Sequence, residues 1–368
     1  MIELNKLRVM FFIGIGGIGM SALARYFKAN GVSVSGYDRT STKLTDELTK
    51  EGIKIHYADS VSNVPYEVKT SMKEETLIIY TPAIPASHTE LQYFIENKFN
   101  IIKRAELLGM LTRNHRTIAV AGTHGKTTTS AMIAHIFKYA GQNCTALLGG
   151  IAKNVNSNLV LSKRGNESDQ VMIVEADEYD RSFLNLHPDI AIVTSIDADH
   201  LDIYGSSKNM KDSYQQFVSQ VKPKGIFICK KNLDLKSSAA MVSYSASETA
   251  DYQATNFRIV NHENVFDIQW NESVIKDISS QMPGMHNVEN TVAAFACAQL
   301  SGIEPELIRE AIMKFTGVTR RFDCRFKNSE IVYIDDYAHH PAELRACIQS
   351  IRELYRGKRI TGIFQPHL

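Results

Sequence analysis

Residues 117–128, TIAVAGTHGKTT, decide the fold of the middle of the chain. The apolar run Thr117–Ala121 predicts a buried strand, the glycines after it a tight turn, and Thr128–Ala140 a helix. The same order of strand, glycine turn and helix occurs near the N-terminus, in the stretch LRVMFFIGIGGIG of residues 7–19. Because repeated strand–helix units pack as a parallel sheet with helices on both faces, an α/β fold is predicted.

The turn at residues 122–128, GTHGKTT, carries the residue types that bind phosphate groups. It departs from the usual GxxxxGK[ST] pattern, since Val120 stands where the first glycine is expected. The Gly-Lys-Thr is kept between strand and helix, so backbone N–H groups can surround phosphates. Lys126 can then reach the β- and γ-oxygens, and the Thr127 hydroxyl can ligate Mg²⁺. A nucleoside triphosphate site is predicted here.

The turn nearer the N-terminus, Gly14–Gly19, satisfies the pattern GxGxxG, and Asp38 follows at the end of the next predicted strand. Glycines let the backbone approach a diphosphate, the helix N-terminus attracts its charge, and the carboxylate can accept ribose hydroxyls. Taken alone, the pattern indicates a dinucleotide-dependent dehydrogenase, or a glycine turn that only packs helix against strand. It specifies a diphosphate more firmly than it specifies NAD.

Acidic residues follow two further predicted strands. Glu175 ends one apolar run, and Asp197, Asp199 and His200 follow another. The carboxyl ends of parallel strands are where ligands bind in open α/β sheets. Hard oxygen ligands beside a phosphate-binding turn suit Mg²⁺, whereas an imidazole is an unusual addition. The alternative, that these side chains only solvate strand ends, stays open.

The stretch DDYAHHP, Asp335–Pro341, has two interpretations. Its acids and histidines could ligate a metal, or they could form a strand end followed by a helix cap. Without partner residues elsewhere, the sequence favours neither.

The composition excludes several classes of protein. Forty-one Lys and Arg against 40 Asp and Glu leave a net charge of +1, which gives no overall field to hold nucleic acid or an anionic membrane. Five cysteines lie far apart, which argues against a disulfide framework and a zinc site and fits a reducing compartment. Glycines interrupt the apolar run Val9–Ala24, so a signal peptide is not expected. The composition indicates a cytoplasmic enzyme, and the length of 368 residues predicts two or three domains.

Three regions are expected along the chain. Residues 1–114 alternate strand and helix, and residues 115–319 contain the second start and a polar β-rich stretch that predicts an antiparallel layer. Residues 320–368 begin a third unit, with a strand at Ile331–Asp335, a helix at Pro341–Tyr355 and a strand at Arg359–Phe364. This unit is shorter than an ordinary domain of about 100–150 residues, so a truncated C-terminal domain is expected.

A series of motifs along the whole chain resembles those of the Mur ligases, the ATP-dependent amino-acid ligases of peptidoglycan precursor synthesis. The motifs are GIGGIGM (14–20), GTHGKTT (122–128), EADEYDRSFL (175–184), DHLDIY (199–204), HNVEN (286–290), RRF (320–322), DDYAHHP (335–341) and FQPH (364–367). The resemblance implies an N-terminal Rossmann-like domain for a UDP-sugar, a central ATP-binding domain, and a C-terminal Rossmann-like domain of which only the beginning is present.

The resemblance also implies a role for each matching residue. The UDP-sugar would lie against Gly16, Gly17, Ile18, Gly19, Asp38 and Thr81. ATP would contact Gly122, Thr123, His124, Gly125, Lys126, Thr127, Thr128, Asn287, Asn290, Arg321 and Asp336. Mg²⁺, or Mn²⁺ in its place, would be held by Thr127, Glu175 and His200. Lys126, Glu175 and His200 would be catalytic, and the amino-acid side would include His339 and His367.

Within the family, the motifs are most similar to those of members that join L-alanine to the lactyl carboxylate of UDP-N-acetylmuramate. This implies that ATP converts the carboxylate to an acyl phosphate, which the alanine amine attacks. Alternatives are a recycling ligase that attaches a tripeptide to the same UDP-sugar, an NAD-dependent oxidoreductase, and a nucleotide-gated binding protein. Neither nucleic acid nor a membrane is an expected partner, and a monomer or weak homo-oligomer is expected.

Overall fold

The computed structural model describes residues 2–162, 170–197, 201–261 and 263–366. Asp199, His200 and His367, which the sequence analysis placed in or near the site, lie outside these ranges. Within them, none of the helices is long and apolar enough to cross a membrane.

The first region is a parallel sheet of five strands in the order β3-β2-β1-β4-β5. Its strands are β1 (Val9–Ile13), β2 (Ser33–Tyr37), β3 (Lys54–His56), β4 (Thr76–Tyr80) and β5 (Asn100–Lys103). Its helices are α1 (Ile18–Ala29), α2 (Lys43–Lys50), α3 (Tyr66–Thr70), α4 (Thr89–Glu96) and α5 (Arg104–Arg113). The strand order reverses at β1, which places a ligand-binding crevice at its carboxyl end, where the first glycine turn lies.

The second region is a mixed sheet in the order β15-β14-β13-β12-β11-β10-β6-β9-β7-β8. The strands before the antiparallel layer are β6 (Arg116–Ala121), β7 (Cys144–Ala152), β8 (Ser157–Val160), β9 (Val171–Glu175), β10 (Ile190–Val193), β11 (Ile226–Lys230) and β12 (Ala240–Ser245). The antiparallel layer is β13 (Tyr252–Val260), β14 (Glu263–Trp270) and β15 (Ser273–Ser280). The predicted antiparallel layer is confirmed for these three strands, whereas β12 pairs parallel with β11.

Helices cover the central sheet, and the second glycine turn lies at the end of one of its inner strands, β6. They are α6 (Lys126–Tyr139), α7 (Leu201–Tyr204), α8 (Ser207–Ser219), α9 (Met285–Leu300) and α10 (Pro305–Met313). Strand β6 runs parallel between β9 and β10, so the turn that follows β6 lies beside the carboxyl ends of both neighbours. Glu175 ends β9 and therefore lies at the same edge of the sheet.

The third region is small. It consists of an antiparallel pair, β16 (Asp323–Lys327) and β17 (Val332–Asp335), followed by α11 (Pro341–Leu354). The predicted helix is confirmed, but the predicted strand at residues 359–364 is wrong, since this segment has no regular secondary structure. Its apolar residues have no described strand beside them with which to form a hydrogen-bonded ladder.

The first two regions share a hydrophobic core. A continuous cluster includes Leu23 of α1 and Leu107 of α5 together with Leu147 of β7 and Leu159 of β8. The β7–β8 hairpin packs directly against α1. The N-terminal region therefore packs against the central one through α1, and this packing holds the two glycine turns near each other.

Candidate active site

A cavity of about 730 Å³ lies where the three regions meet. Its wall includes Gly17, Ile18 and Gly19 from the first glycine turn, the stretch 123–128 from the second, and Asp336 from the C-terminal region. A ligand bound at one turn would therefore share a single enclosure with a ligand bound at the other.

The second glycine turn has a backbone shape that only glycine adopts without strain. Gly122 has a φ of +137°, and Gly125, the N-cap of α6, has a φ of +84°. A Cβ added at Gly122 would overlap the Thr194 hydroxyl, and one added at Gly125 would lie 2.5 Å from Asn290 Oδ1. The turn thus brings the free N–H groups of the first turn of α6 to the cavity without side chains in the way.

Side chains after β10 hold this turn in place. The Ser195 hydroxyl lies 2.8 Å from the Thr123 hydroxyl and accepts the His124 N–H at 2.8 Å. The Thr123 hydroxyl also accepts the N–H of Asp197 at 3.0 Å. The backbone that would surround a phosphate is therefore fixed before any ligand arrives.

Lys126 is held by an acidic neighbour. Its ammonium donates to Glu178 Oε1 at 2.8 Å and to the Gly122 carbonyl at 2.6 Å. Burial alone would lower the pKa of Lys126, but the carboxylates of Glu178, Glu175 and Asp177 raise it overall. The amine therefore stays protonated, and an arriving phosphate would compete with Glu178 for it.

Two of the three predicted metal ligands meet. The Thr127 hydroxyl donates to Glu175 Oε1 at 3.1 Å, and the Gly149 N–H donates to Glu175 Oε2 at 3.1 Å. A hydroxyl and a carboxylate beside the phosphate-binding turn are the hard oxygen ligands that Mg²⁺ prefers, so these residues fit the ion. The third, His200, lies outside the described residues, within which no group of three or more acidic, histidine or cysteine side chains gathers as for a metal.

The first glycine turn presents less to the cavity than the resemblance implies. Gly17 is the N-cap of α1, and Gly17, Ile18, Gly19 and Thr81 line the cavity. The Asp38 carboxylate instead accepts the Gly16 N–H at 2.7 Å, so it supports the turn from behind. A ribose contact by Asp38 stays a prediction.

Arg104, the first residue of α5, was missed by the sequence analysis. Its guanidinium donates to Asp177 Oδ2 at 2.9 Å, and a Cβ added at Gly19 would lie 2.9 Å from its Nη1. Arg104 also lines the cavity. It therefore places a positive charge beside the N-terminus of α1, where an anionic group would bind.

Asparagines at the start of α9 lie beside the second turn. Asn287 and Asn290 are both buried and line the cavity, and Asn290 Nδ2 donates to Asn287 Oδ1 at 3.2 Å. Asn290 packs against Gly125, as the close approach of its Oδ1 shows. Their assignment to the adenine side stays a prediction.

The start of α11 forms part of the cavity wall beside the second turn. Glu343 Oε1 lies 3.1 Å from His124 Nδ1, and Glu343 Oε2 accepts the N–H of His339 at 3.2 Å. Burial would raise the pKa of Glu343, but these hydrogen bonds and the charge of Arg321 lower it to about 2. The sequence analysis missed Glu343, although glutamate two residues after Pro341 is typical of a capping box, which α11 has with His340.

The C-terminal residues that the resemblance assigned also line the cavity. They are Arg321, Asp336 and His339. Asp336 accepts the N–H groups of Phe322 at 2.6 Å and Ala338 at 2.7 Å, so its present role is to shape the chain before α11. Of the two interpretations of residues 335–341, the structure shows the strand end and helix cap.

Three family models match the chain in succession. They are described as "Mur ligase family, catalytic domain" over residues 10–116, "Mur ligase middle domain" over 120–298 and "Mur ligase, glutamate ligase domain" over 320–367. The matches cover all three regions of the fold. The resemblance found in the sequence motifs is thereby confirmed.

Individual relatives agree with the family models. The chain is 49% identical to the UDP-N-acetylmuramate–L-alanine ligase of Flavobacterium johnsoniae and 47% identical to that of Parabacteroides distasonis, in each case over 100% of this chain and 79% of the relative. The crystal structure of UDP-N-acetylmuramate-alanine ligase from Thermotoga maritima superposes with a TM-score of 0.84 at 30% identity, over 97% of this chain and 80% of that one. The chain belongs to the Mur ligase family.

Proposed function

We propose that the protein joins L-alanine to the lactyl carboxylate of UDP-N-acetylmuramate, with conversion of ATP to ADP and phosphate, in peptidoglycan precursor synthesis. The observation that carries the proposal is the shared cavity, whose wall contains both the diphosphate-type turn at Gly17–Gly19 and the triphosphate-type turn at residues 123–128. An oxidoreductase that uses the first turn alone would leave the second without a role. The relatives from Flavobacterium johnsoniae and Parabacteroides distasonis are named for the same two substrates.

The chemistry requires both substrates in one place. A carboxylate reacts with an amine only after one of its oxygens becomes a leaving group. The carboxylate oxygen would attack the γ-phosphorus of ATP, the bond from that phosphorus to the ADP oxygen would break, and an acyl phosphate would form. The amine of alanine would then attack the acyl carbon, a tetrahedral intermediate would expel phosphate, and the amine would lose a proton.

The residues divide this work between the two ends of the cavity. The N-terminus of α1 and Arg104 would hold the UDP diphosphate, and the turn before α6 would hold the ATP phosphates. Lys126 would neutralise charge on the transferred phosphoryl group, the largest contribution in reactions of this kind. Mg²⁺ held by Thr127 and Glu175, with His200 as a further proposed ligand, would supply additional positive charge there.

Residues from the later regions would complete the site. Asn287 and Asn290 would contact adenine, Arg321 the phosphates and Asp336 the ATP ribose, while His339 and His367 would lie toward the amino acid. The C-terminal region would exclude water from the acyl phosphate, since Glu343 already joins α11 to His124 across the cavity.

The test is phosphate release by the purified protein with UDP-N-acetylmuramate, ATP, Mg²⁺ and a panel of amino acids. Release that needs all the substrates and is fastest with L-alanine is the expected result. Release that is faster with the tripeptide than with any single amino acid would instead support the recycling ligase. Protection by NADH but not by UDP-N-acetylmuramate in a melting experiment would support the oxidoreductase.

A further inference from the structure

A buried asparagine joins the first region to the second. Asn158 of β8 has no exposed surface, and its Nδ2 donates to the Ile18 carbonyl at 2.7 Å and to the Ser21 hydroxyl at 2.9 Å. Ile18 is the first residue of α1 and lines the cavity between Gly17 and Gly19. A side chain of the central region therefore holds the helix end where a diphosphate would bind.

The acceptor side of the same amide is used as well. Arg25 of α1 donates through Nη1 to Asn158 Oδ1 at 2.5 Å, and its Nε and Nη2 donate to Glu51 at 2.9 and 2.7 Å. Only 8% of Arg25 is exposed. Because a buried guanidinium needs its partners, this network fixes both the position and the orientation of the Asn158 amide.

The hairpin that carries Asn158 also contacts the other end of the cavity. Strand β8 pairs with β7, and Gly149 of β7 donates its N–H to Glu175, the carboxylate beside Thr127. Leu147 and Leu148 of the same strand line the cavity. One hairpin thus connects the end of α1 to the carboxylate of the proposed metal site.

We infer that Asn158 is a positioning residue that sets the distance between the sugar-nucleotide end and the phosphoryl-transfer end of the cavity. The inference rests on the proposed function, because only a reaction between two substrates bound at opposite ends depends on that distance. Asn158 does not line the cavity, so it would touch neither substrate. It acts through the Ile18 carbonyl on one side and through the hairpin on the other.

The expected effect is on turnover and not on the binding of either ligand alone. Each glycine turn is held by hydrogen bonds within its own region, the first by Tyr37 and Asp38 and the second by Ser195. Loss of the Asn158 contacts should therefore leave the turns themselves intact. A displacement of about 1 Å between reacting groups costs on the order of 100-fold in rate. A partial loss of alignment should therefore lower kcat about tenfold or more.

The experiment compares Asn158→Ala with Asn158→Asp in the full-length protein. The aspartate keeps an acceptor for Arg25 but cannot donate to the Ile18 carbonyl, so it should melt closer to the parent than the alanine variant does. Both variants should nevertheless lose at least about tenfold in kcat, with the Kd values for UDP alone and for ATP alone within about twofold of the parent. The matched control is Asn154→Ala, in the turn of the same hairpin, where the exposed amide bonds to Lys314 and Thr316. It should keep the parental kcat.

Two outcomes would overturn the inference. One is a kcat that follows melting temperature, with the aspartate variant near the parent, which would make Asn158 a purely stabilising residue. The other is a Kd for UDP that rises as much as kcat falls, which would make it a support of the first turn alone. The parent's own turnover with alanine tests the proposed function separately, since the inference concerns only the ratio of variant to parent.

Discussion

The two glycine turns have the same framework and different surroundings. Each follows a strand that pairs parallel with both neighbours, β1 or β6, and precedes a helix, α1 or α6, whose N-cap is a glycine. The turn before α6 continues into Lys126 and Thr127 and is met by two carboxylates, Glu178 and Glu175. The turn before α1 has no charged residue of its own, and Arg104 from another helix supplies the charge beside it. Backbone geometry makes both turns able to bind anions, while the following side chains distinguish the turn proposed for phosphoryl transfer from the turn proposed to hold a diphosphate.

Of the variants considered, Lys126→Ala should have the largest effect, and this effect should be confined to the second turn. Loss of the ammonium should lower kcat about 10³-fold, because it removes charge stabilisation of the transferred phosphoryl group, while UDP-N-acetylmuramate binding stays near the parental value. Steady-state kinetics and titration calorimetry measure the two quantities. Because Glu178 would be left buried without its partner, the double variant Lys126→Ala/Glu178→Gln serves as the folding control. Near-parental turnover in a folded variant would refute the assignment.

Glu175→Gln tests the oxygen ligands of the second turn. The neutral amide should raise the Mg²⁺ concentration needed for half-maximal rate about tenfold or more and should lower kcat, because a carboxylate is the stronger ligand for a hard cation. Activity measured over a Mg²⁺ series gives the answer. A Mg²⁺ dependence identical to that of the parent would remove Glu175 from the metal site.

Arg104→Met tests the first turn against a neighbouring residue. Loss of the guanidinium should weaken UDP-N-acetylmuramate binding about tenfold and leave ATP binding unchanged, since Arg104 lies against Gly19 at the start of α1. The matched control is Lys103→Met, which removes the same charge one residue earlier and breaks a comparable ion pair with Asp180, whereas neither of these residues lines the cavity. An equal loss of UDP-N-acetylmuramate affinity in both variants would mean that the overall positive charge, and not the position of Arg104, determines binding.

Glu343→Gln should have the smallest effect on turnover of these variants, and its effect on stability should depend on pH. The pKa of Glu343 is lowered to about 2 in the folded protein from an ordinary 4.5, so its charge stabilises the fold above pH 4.5 and this contribution is lost as pH falls toward 2. The stability difference between parent and variant should reach at most about 3 kcal/mol near neutral pH and vanish near pH 2. Denaturant unfolding over that pH range measures it. A difference that does not change with pH would contradict the ion-pair origin.

Some elements of secondary structure were predicted wrongly because they depend on contacts between residues far apart in the chain. The strand β5 was not predicted, because Asn100–Lys103 has only two apolar residues and its strand form depends on pairing with β4. Helix α5 follows directly and was not predicted either, although Leu107, Leu108 and Leu111 recur at helical spacing, so Arg104 at its start was missed. Residues 359–364 contain apolar residues in a strand-like pattern, yet no described strand pairs with them.

The sequence by itself determined the chemistry that the chain carries. Glycine spacing, the Gly-Lys-Thr after β6 and the buried apolar runs are local properties, because turn conformation and strand burial depend on residues next to each other in the chain. They were enough to predict the α/β fold, both glycine turns and the family.

Only the tertiary structure decided which of these groups meet. Asp38 accepts a hydrogen bond from Gly16 and does not line the cavity. Arg104 lies beside Gly19. Asn158 of the second region donates to the Ile18 carbonyl of the first. These contacts join residues far apart in the chain, and their partners are selected by the packing of α1 and α5 on the central sheet. No local pattern records such packing, because the free energy that fixes it comes from the shared hydrophobic core and from satisfying buried polar groups.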